Sequence, residues 1–276
     1  MVTDREPVCL TIAGLDPSGG AGVIADIKTF FAFGCFPTAA IASLTFQNTL
    51  GVFGAEHQTA TTVRSHVQPI IDDLGIDALK TGMLPTREVI DEVAAIIREN
   101  GIKNIVVDPV VRSTSGFDLI DNQALKAIIE RLFPLADLVT PNIPETERIT
   151  GISIESEDDI IAAATQMREF GAKNVLIKGG HLAKAEGGRR KAEFQDKKAR
   201  DFLFLGEEMH IFGSAYLDTT ATHGTGCTLA AAITANLALG KLLFESVEIA
   251  KAFVHRAIAT APGHGKGNSP INIRVI

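Results

Sequence analysis

The sequence predicts an α/β protein with three layers, in which helices cover both faces of a doubly wound, mostly parallel sheet. Short apolar segments rich in β-branched residues alternate with helical segments along the whole chain. The apolar segments are continuous rather than alternating, as in strands that are buried on both faces. No internal repeat or low-complexity linker interrupts this order, which is typical of successive βαβ units. We therefore predict a single domain over residues 1–276.

Six buried strands and two helices with clear ends support this prediction. The strands are expected at 8–13, 39–45, 76–80, 104–108, 137–140 and 174–178. A helix over 87–100 is followed by Gly101 and another over 157–170 by Gly171, and glycine is favoured just beyond a helix end. The second helix starts with Ser156 and Asp159 in the spacing of a capping box.

The segment after the sixth strand has a different character. Residues 183–200 are polar and contain glycine, so we predict a mobile loop there. The apolar residues that follow, at 202–205 and 210–217, are expected to form a hairpin.

Composition excludes several classes of partner. The formal net charge is −7, and the chain has no Trp and one Tyr, which disfavours a nucleic-acid partner. The three cysteines have no CxxC spacing and suit a reducing compartment. The apolar run behind the acidic N-terminus is too short for a signal peptide or a membrane span. We expect a cytoplasmic protein with no membrane partner.

Polar or glycine-rich residues follow all six predicted strands. Ligands in open α/β sheets bind outside the carboxyl ends of the strands, so these residues are expected to share one rim. In strand order the segments are AGLDPSGGAG (13–22), QNT (47–49), TGM (81–83), Asp108-Pro109, TPNIPE (140–145) and KGGH (178–181).

Most of these residues also have a purely structural interpretation. The glycines suit tight turns, Asp108 before Pro109 suits a strand end, and Glu145 suits the first turn of a helix. Lys178 is different, because a lysine at the end of a buried strand needs an anionic partner. We interpret His181 and His223 as polar loop residues rather than metal ligands, since neither has a second ligand at helical spacing.

The segment HGTGCT (223–228) is the strongest single signal. It precedes a run of small apolar residues, and the unpaired N–H groups of a glycine-rich helix start favour an anion. The chain has neither GxxxxGK[ST] nor a strand followed by GxGxxG, the two common nucleotide signatures. A phosphate would therefore bind to a turn of another kind.

Together these motifs resemble a known family. AGLDPSGGAGVIADIKTF, QNT, KTGML, DPVV…SG, TPNIPE, IKGGH, HGTGCT and GHGKG, spread from about Cys9 to Pro270, are similar to the hydroxymethylpyrimidine/phosphomethylpyrimidine kinases of thiamine biosynthesis. That family lies within the ribokinase-like superfamily. The resemblance implies a ribokinase-like fold and an ATP- and Mg²⁺-dependent kinase acting on 4-amino-5-hydroxymethyl-2-methylpyrimidine and then on its monophosphate. It leaves a homodimer open.

The resemblance also implies site residues. The substrate-binding residues would be Gly14, Asp16, Ala21, Gln47, Met83 and Val110, with the amide of Gln47 reading the polar edge of the pyrimidine. Asp108 and Glu145 would hold Mg²⁺ as hard oxygen ligands. Asn142, Lys178 and Thr225 would bind ATP. Lys178 would also neutralise the transferring phosphate, and the turn containing Gly224, Gly226 and Cys227 would be the anion hole.

Some positions depart from the family pattern, and two rival functions stay open. Arg112 and Thr114 in DPVVRSTSG, and Tyr216 before the anion-hole turn, replace more usual residues; Arg112 could contact phosphate or face solvent. A pyridoxal kinase of the same fold is the nearest rival. A catalytically silent vitamin or nucleotide sensor is the second, although such a protein has little use for metal ligands beside Lys178.

Cys227 stands where sugar kinases of the superfamily usually have an aspartate base. In the second phosphorylation the nucleophile is a phosphate oxygen, which has little proton to lose and which a carboxylate would repel. A thiol can stay neutral beside that dianion. We also expect it to ionise at the helix N-terminus when a hydroxyl group is bound. The alternative is that cysteine only fills a small space.

Overall fold

The computed structural model describes residues 5–112, 118–179 and 198–274. These residues form one nine-stranded sheet. The strands are β1 (Val8–Leu15), β2 (Phe36–Asn48), β3 (Gly51–His57), β4 (Ala78–Thr81), β5 (Ile105–Val107), β6 (Leu138–Val139), β7 (Asn174–Lys178), β8 (Lys198–Leu205) and β9 (Glu208–Ala215).

The sheet is parallel in its centre and antiparallel at both edges. Its strand order is β3-β2-β1-β4-β5-β6-β7-β8-β9. Neighbours from β2 to β7 pair in parallel, whereas β3, β8 and β9 are antiparallel to their neighbours. The chain runs outward from β1 in both directions, so the predicted doubly wound, mostly parallel sheet is confirmed.

Helices separate most of the parallel strands. They are α1 (Gly22–Ala32), α2 (Ala60–Leu74), α3 (Arg87–Asn100), α4 (Asn122–Ala127), α5 (Ile143–Thr150), α6 (Glu157–Glu169), α7 (Thr225–Ala238) and α8 (Leu243–Ala259). The helix predicted over 87–100 is confirmed, and the one over 157–170 is one residue shorter. Ser156 and Asp159 form the expected capping box. Among the described helices, none combines the length and apolar character needed to cross a bilayer.

Alternate residues of the central strands pack on opposite faces of the sheet. In β7, Val175 and Ile177 join a core cluster with residues of α2, α3, α4 and α6. Leu176, between them, joins a second cluster with residues of α1, α7 and α8. Because successive side chains of a strand point to opposite faces, a strand buried on both sides must be apolar throughout. This is the pattern that predicted the three layers.

Three predictions about elements need correction. β3 was missed, since its sequence, GVFGAEH, has two glycines and polar residues and forms a strand only by pairing with β2. β2 extends to Asn48, so Gln47 lies inside a hairpin and not after a strand. β8 starts at Lys198, inside the predicted mobile loop, because Lys198–Arg200 pair with β9. The rest of that loop and His181 lie outside the described residues.

Candidate active site

Every residue proposed for the site from the sequence lines the same cavity, which has a volume of about 570 Å³. The cavity lies at the carboxyl ends of the parallel strands, where Gly14 is the penultimate residue of β1, Gln47 is near the end of β2, and Lys178 ends β7. The full set is Gly14, Asp16, Ala21, Gln47, Met83, Val110, Asp108, Asn142, Glu145, Lys178, Gly224, Thr225, Gly226 and Cys227. The expected common rim is therefore present.

Asp16 organises the glycine-rich loop after β1. Its Oδ1 accepts hydrogen bonds from the N–H and Oγ of Ser18 (2.8 and 2.7 Å), and its Oδ2 accepts from the N–H groups of Gly20 and Ala21 (3.1 and 2.8 Å). His223 Nε2 lies 2.7 Å from the same Oδ2. Burial alone would raise the pKa of Asp16, but the hydrogen bonds from His223, Ser18 and Gln47 lower it well below its usual range. Asp16 is thus ionised, and its hydrogen bonds fix the conformation of the glycine-rich loop.

Several residues of the cavity lining are apolar. Met83 approaches Gly14 so closely that a Cβ at position 14 would lie 3.1 Å from the Met83 sulfur. Ala21 and Val110 add further small apolar surface, and Gln47 supplies an amide at the side. Gly14, Ala21, Met83 and Val110 thus form an apolar slot, and the amide of Gln47 belongs to the same lining.

The closing glycine-rich segment contacts the QNT motif. The Asn268 N–H donates to the carbonyl oxygen of Thr49 at 2.8 Å. A Cβ at Gly265 or Gly267 would lie 2.2 or 2.1 Å from an oxygen atom of Thr49. Positions 265 and 267 must be glycine, because only glycine leaves room for this approach. Two motifs more than 200 residues apart thus pack directly against each other.

The turn before α7, residues 224–227, has a backbone shape that requires glycine. Gly224 has φ 82° and a Cβ there would lie 1.8 Å from the carbonyl oxygen of Gly20, so no other residue fits. α7 then starts at Thr225, and the first N–H groups of a helix have no intrahelical acceptor. A Cβ at Gly226 would lie 3.2 Å from Lys178 Nζ, which places the ammonium group against this turn.

Asp108, Glu145 and Lys178 form a buried charged cluster beside the turn. Lys178 Nζ donates to Asp108 Oδ1 at 2.9 Å, and Thr140 Oγ1 donates to the same oxygen at 3.1 Å. Burial lowers the pKa of Lys178, but attraction to Asp108 and Glu145 outweighs it and raises the pKa overall. Burial raises the pKa of Glu145 to about 7, with Lys178 opposing and Asp108 adding to the rise.

The structural interpretation of Glu145 is correct as well. Glu145 and Asn142 form a capping box at the start of α5, with the Asn142 N–H donating to Glu145 Oε2 at 2.8 Å and the Glu145 N–H donating to Asn142 Oδ1 at 2.9 Å. The capping box fixes the carboxylate so that it faces Asp108. One residue therefore serves the helix and the cavity.

The donor set fits a magnesium ion. Within the described ranges no group of three or more His, Cys, Asp or Glu side chains could hold a metal. Mg²⁺ is commonly bound through one or two carboxylates, with waters and substrate phosphates completing its shell. Asp108 and Glu145 are two such carboxylates. Burial, with a smaller contribution from Asp108, raises the pKa of Glu145, and a cation would offset both effects.

Cys227 differs from the sequence prediction in one respect. We expected a helix N-terminus to favour the thiolate. Instead burial raises the pKa of Cys227 to about 11, although Lys80 and the Gly22 N–H work to lower it. The expectation that the thiol stays neutral agrees with this pKa. The expectation that it ionises readily does not, because loss of solvent raises the pKa more than the helix N-terminus lowers it.

Sequence reasoning missed two ion pairs that involve residues of the cavity lining, namely Lys80, Lys251 and Asp201. Lys80, on β4, pairs with Asp26 on α1 at 2.8 Å with both side chains fully buried. Lys251, on α8, pairs with Asp201 on β8. The sequence does contain a signal for Lys80, because this lysine ends a predicted apolar strand in the same way as Lys178. Its partner Asp26 lies 54 residues away and could not be inferred from spacing. Arg112, left open above, lines the cavity and pairs with Asp118 at 2.9 Å.

Comparison with known proteins agrees with this geometry. The family model described as phosphomethylpyrimidine kinase matches residues 16–272. A hydroxymethylpyrimidine/phosphomethylpyrimidine kinase of Bacillus subtilis is 41% identical over 263 residues, covering 95% of this chain and 93% of the relative. The crystal structure of phosphomethylpyrimidine kinase from Clostridium difficile has a TM-score of 0.77 and 36% identity, covering 92% of this chain and 100% of that one.

A structure of the pyridoxal kinase from Staphylococcus aureus in complex with AMP-PCP and pyridoxal is also similar. Its TM-score is 0.86 at 30% identity, and the match covers 98% of this chain and 94% of that one. The fold and the family predicted from the sequence are both confirmed. The chain belongs to the phosphomethylpyrimidine kinase family of phosphotransferases.

Proposed function

We propose that this protein uses ATP to phosphorylate the hydroxymethyl group of 4-amino-5-hydroxymethyl-2-methylpyrimidine, and then phosphorylates the resulting monophosphate. The diphosphate is the pyrimidine precursor of thiamine diphosphate. The observation that carries the proposal is that one cavity joins an apolar slot with an amide edge to a glycine turn flanked by Lys178, Asp108 and Glu145. The family membership supports the same reaction.

The pyrimidine would lie in the slot formed by Gly14, Ala21, Met83 and Val110. Its methyl group and ring suit the apolar walls, and its amino group and ring nitrogens suit an amide such as Gln47, which donates and accepts at once. Asp16 contributes by holding Ala21 and Gln47 in place, since its carboxylate oxygens are already occupied by protein donors. The hydroxymethyl group would then point toward Cys227.

The phosphates would bind between the turn and the end of β7. The N–H groups of Gly224 and Gly226 are fixed donors for the oxygens of the transferring phosphate, whereas the Thr225 N–H already donates to the carbonyl oxygen of Thr222 at 3.3 Å. Fixed donors lower the barrier because they need no reorganisation. Lys178 keeps its charge and lies against Gly226. Asn142, at the start of α5, borders the same space on the nucleotide side.

Asp108 and Glu145 are the residues that would hold Mg²⁺. When bound, the ion would neutralise phosphate charge and help to orient the transferred group. The carboxylates are already fixed without it, Asp108 by Thr140 and Glu145 by its capping box. No large rearrangement of this chain is needed to accept the cation.

The proposal is tested by turnover of ATP with candidate substrates and identification of the products by mass. The hydroxymethylpyrimidine should give a monophosphate and then a diphosphate, in a reaction that requires Mg²⁺. Asp108→Asn should need a higher Mg²⁺ concentration for half-maximal rate. Absence of any phosphorylated pyrimidine would reject the proposal and favour a sensor that does not catalyse the reaction.

Phosphorylation of pyridoxal is the second candidate function. The similarity to the S. aureus pyridoxal kinase complex favours it, and the apolar slot does not by itself exclude a pyridine ring. The ratio of kcat/KM for the pyrimidine to kcat/KM for pyridoxal separates the two, and a value above one supports the main proposal.

Two further expectations stay predictions. We expect a cytoplasmic enzyme, and a homodimer is compatible with the sequence. Light scattering on the purified protein would measure the mass in solution directly.

A further inference from the structure

A buried aspartate holds the end of β7 directly after Lys178. The pairing of β7 with β8 extends to Lys178, which lies opposite Asp201. The N–H group that follows, that of Gly179, donates to Asp201 Oδ1 at 3.1 Å. A buried N–H group needs an acceptor, and a side chain supplies it at the point where the strand pairing ends. Asp201 thus fixes the peptide group that joins Lys178 to Gly179.

Asp201 is itself held by a lysine of α8. Lys251 Nζ donates to Asp201 Oδ2 at 2.5 Å and to the carbonyl oxygen of Ala199 at 3.2 Å. The side chains of Asp201 and Lys251 are only 8% and 13% exposed, and both line the cavity. A buried ion pair is seldom more stabilising than an apolar pair of similar volume. Its location is therefore more informative than its contribution to stability.

Lys178 is held from both neighbouring strands. Its N–H donates to the carbonyl oxygen of Pro141, two residues beyond β6, at 2.8 Å, and on the β8 side Asp201 accepts the N–H that follows. Its Nζ donates to Asp108 Oδ1 at 2.9 Å. Residues directly opposite each other in an antiparallel pair project to the same face. Lys178 and Asp201 therefore both face α7 and α8, as does Leu176 two residues earlier.

We propose that Asp201 is a positioning residue for phosphoryl transfer, which together with Lys251 fixes the end of β7 so that the Lys178 ammonium group stays against residues 224–227. A Cβ at Gly226 would lie 3.2 Å from Lys178 Nζ, so a small shift of the strand end changes this approach. A misplacement of about 1 Å can cost about a hundredfold in rate. The kinetic consequence rests on the proposed function, but the fixed strand end does not.

The same arrangement occurs at the other end of the sheet and provides a matched control. Asp137 Oδ2 accepts from the Ile105 N–H at 2.9 Å, and Lys173 Nζ donates to Asp137 Oδ1 at 2.9 Å. Ile105 is the first residue of β5, so this aspartate lies at the amino ends of the parallel strands. Neither Asp137 nor Lys173 belongs to the cavity lining. Replacing them removes the same kinds of contact far from Lys178.

The test compares two double variants that both lack the buried charges. Asp201→Asn/Lys251→Met keeps an oxygen that can accept from the Gly179 N–H, whereas Asp201→Leu/Lys251→Met does not. Both lack Lys251, so a contact of that lysine with nucleotide cannot distinguish them. Asp137→Leu/Lys173→Met is the control. Thermal melting establishes that each variant is folded, and Asp201→Ala/Lys251→Met replaces Asp201→Leu/Lys251→Met if that one is not.

Steady-state rates with the pyrimidine and ATP should separate the two variants. We expect kcat of Asp201→Leu/Lys251→Met to be about tenfold below that of Asp201→Asn/Lys251→Met, with the same KM for the pyrimidine in both. The control should keep the wild-type kcat. In a Lys178→Ala background the difference between the two variants should disappear, because the effects of residues that act through one another are not additive.

Hydrogen exchange of the Gly179 amide, followed by NMR, measures the bond to Asp201 without catalysis. This amide should exchange faster in Asp201→Leu/Lys251→Met than in Asp201→Asn/Lys251→Met, because only the second variant offers it an acceptor.

Equal kcat values in the two folded variants would overturn the inference. So would a difference that persists in the Lys178→Ala background, or an equal loss of kcat in Asp137→Leu/Lys173→Met. If the wild type phosphorylates no pyrimidine, the proposed function fails, and the exchange rates decide the role of Asp201 at the end of β7. Unequal rates then support that role, and equal rates reject it.

Discussion

Lys178 is charged at the point where a transferred phosphate would pass. Attraction to Asp108 and Glu145 outweighs burial and keeps it protonated. We expect Lys178→Ala to lower kcat roughly a hundredfold, the scale for one group that stabilises transition-state charge, with little change in the affinity for the free pyrimidine. Lys173→Ala is the control, since Lys173 pairs with Asp137 on the surface. Steady-state kinetics and calorimetry measure both effects, and an unchanged kcat would remove Lys178 from the mechanism.

Cys227 is expected to distinguish the two phosphorylation steps. Its pKa of about 11 keeps the thiol neutral beside a phosphate dianion, whereas an aspartate would repel it in a cavity where little water screens the charges. Cys227→Asp should therefore slow phosphorylation of the monophosphate much more than phosphorylation of the hydroxymethyl group. Cys227→Ser, which stays neutral, is the matched control. Rates on both substrates are compared, and equal losses or the reverse order contradict the hypothesis.

Glu145 makes stability depend on pH. Burial raises its pKa from 4.5 to about 7. Between these two pH values, Glu145 keeps its proton in the folded protein but has lost it in the unfolded chain. The free energy of unfolding should fall as pH rises through that window, by at most about 3 kcal/mol. Glu145→Gln, which can still form the capping box, should lose this dependence. Urea unfolding in EDTA at pH 5 and pH 7.5 measures the free energy of unfolding of the wild type and of Glu145→Gln. An equal change with pH in both proteins would contradict the expected pKa of Glu145.

At the scale of elements, α7 links the turn that contains Gly224 to the core. Nine of its residues are buried, and they are mostly alanines and other small side chains that let the helix lie close to the sheet and to α8. The start of α7 is fixed by Gly224 against Gly20. The position of the turn thus depends on the packing of the whole helix.

Two glycines flanking α7 allow a matched comparison. Gly224 and Gly240 both have positive φ, 82° and 80°, but a Cβ at Gly224 would collide with Gly20 whereas Gly240 has open space around it. Gly240→Ala should cost about 1–2 kcal/mol for the left-handed backbone alone. Gly224→Ala should cost more and abolish phosphoryl transfer. Urea unfolding and turnover check this, and equal costs would show that the close approach is unimportant.

At the scale of the molecule, the nine described strands share one sheet. Helices on both faces bury its centre, and no strand belongs to a separate sheet within the described residues. We therefore predict that the chain unfolds as one domain, with a calorimetric enthalpy equal to the van't Hoff enthalpy. Two resolved transitions in the calorimetric trace would instead indicate two domains.

The sequence by itself determined the features that depend on short segments. Continuous apolar runs identified the central strands, and glycines after them identified the turns, because burial on both faces and positive φ each restrict the residue types that fit. Parallel strands meet at one edge, so their order along the chain was enough to bring Gly14, Asp108 and Lys178 to one rim. The family motifs then indicated the kind of reaction.

Only the tertiary structure decided which charges meet and which of them are buried. Asp16 and His223 are 207 residues apart, and Lys80 on β4 is 54 residues from its partner Asp26 on α1, so no local pattern connects them. β3 became a strand because β2 offered it a pairing edge. Burial raises the pKa of the Cys227 thiol to about 11, against the direction expected of a helix N-terminus. Hydrogen-bond partners and solvation are properties of the packed chain, and a pKa is set by both.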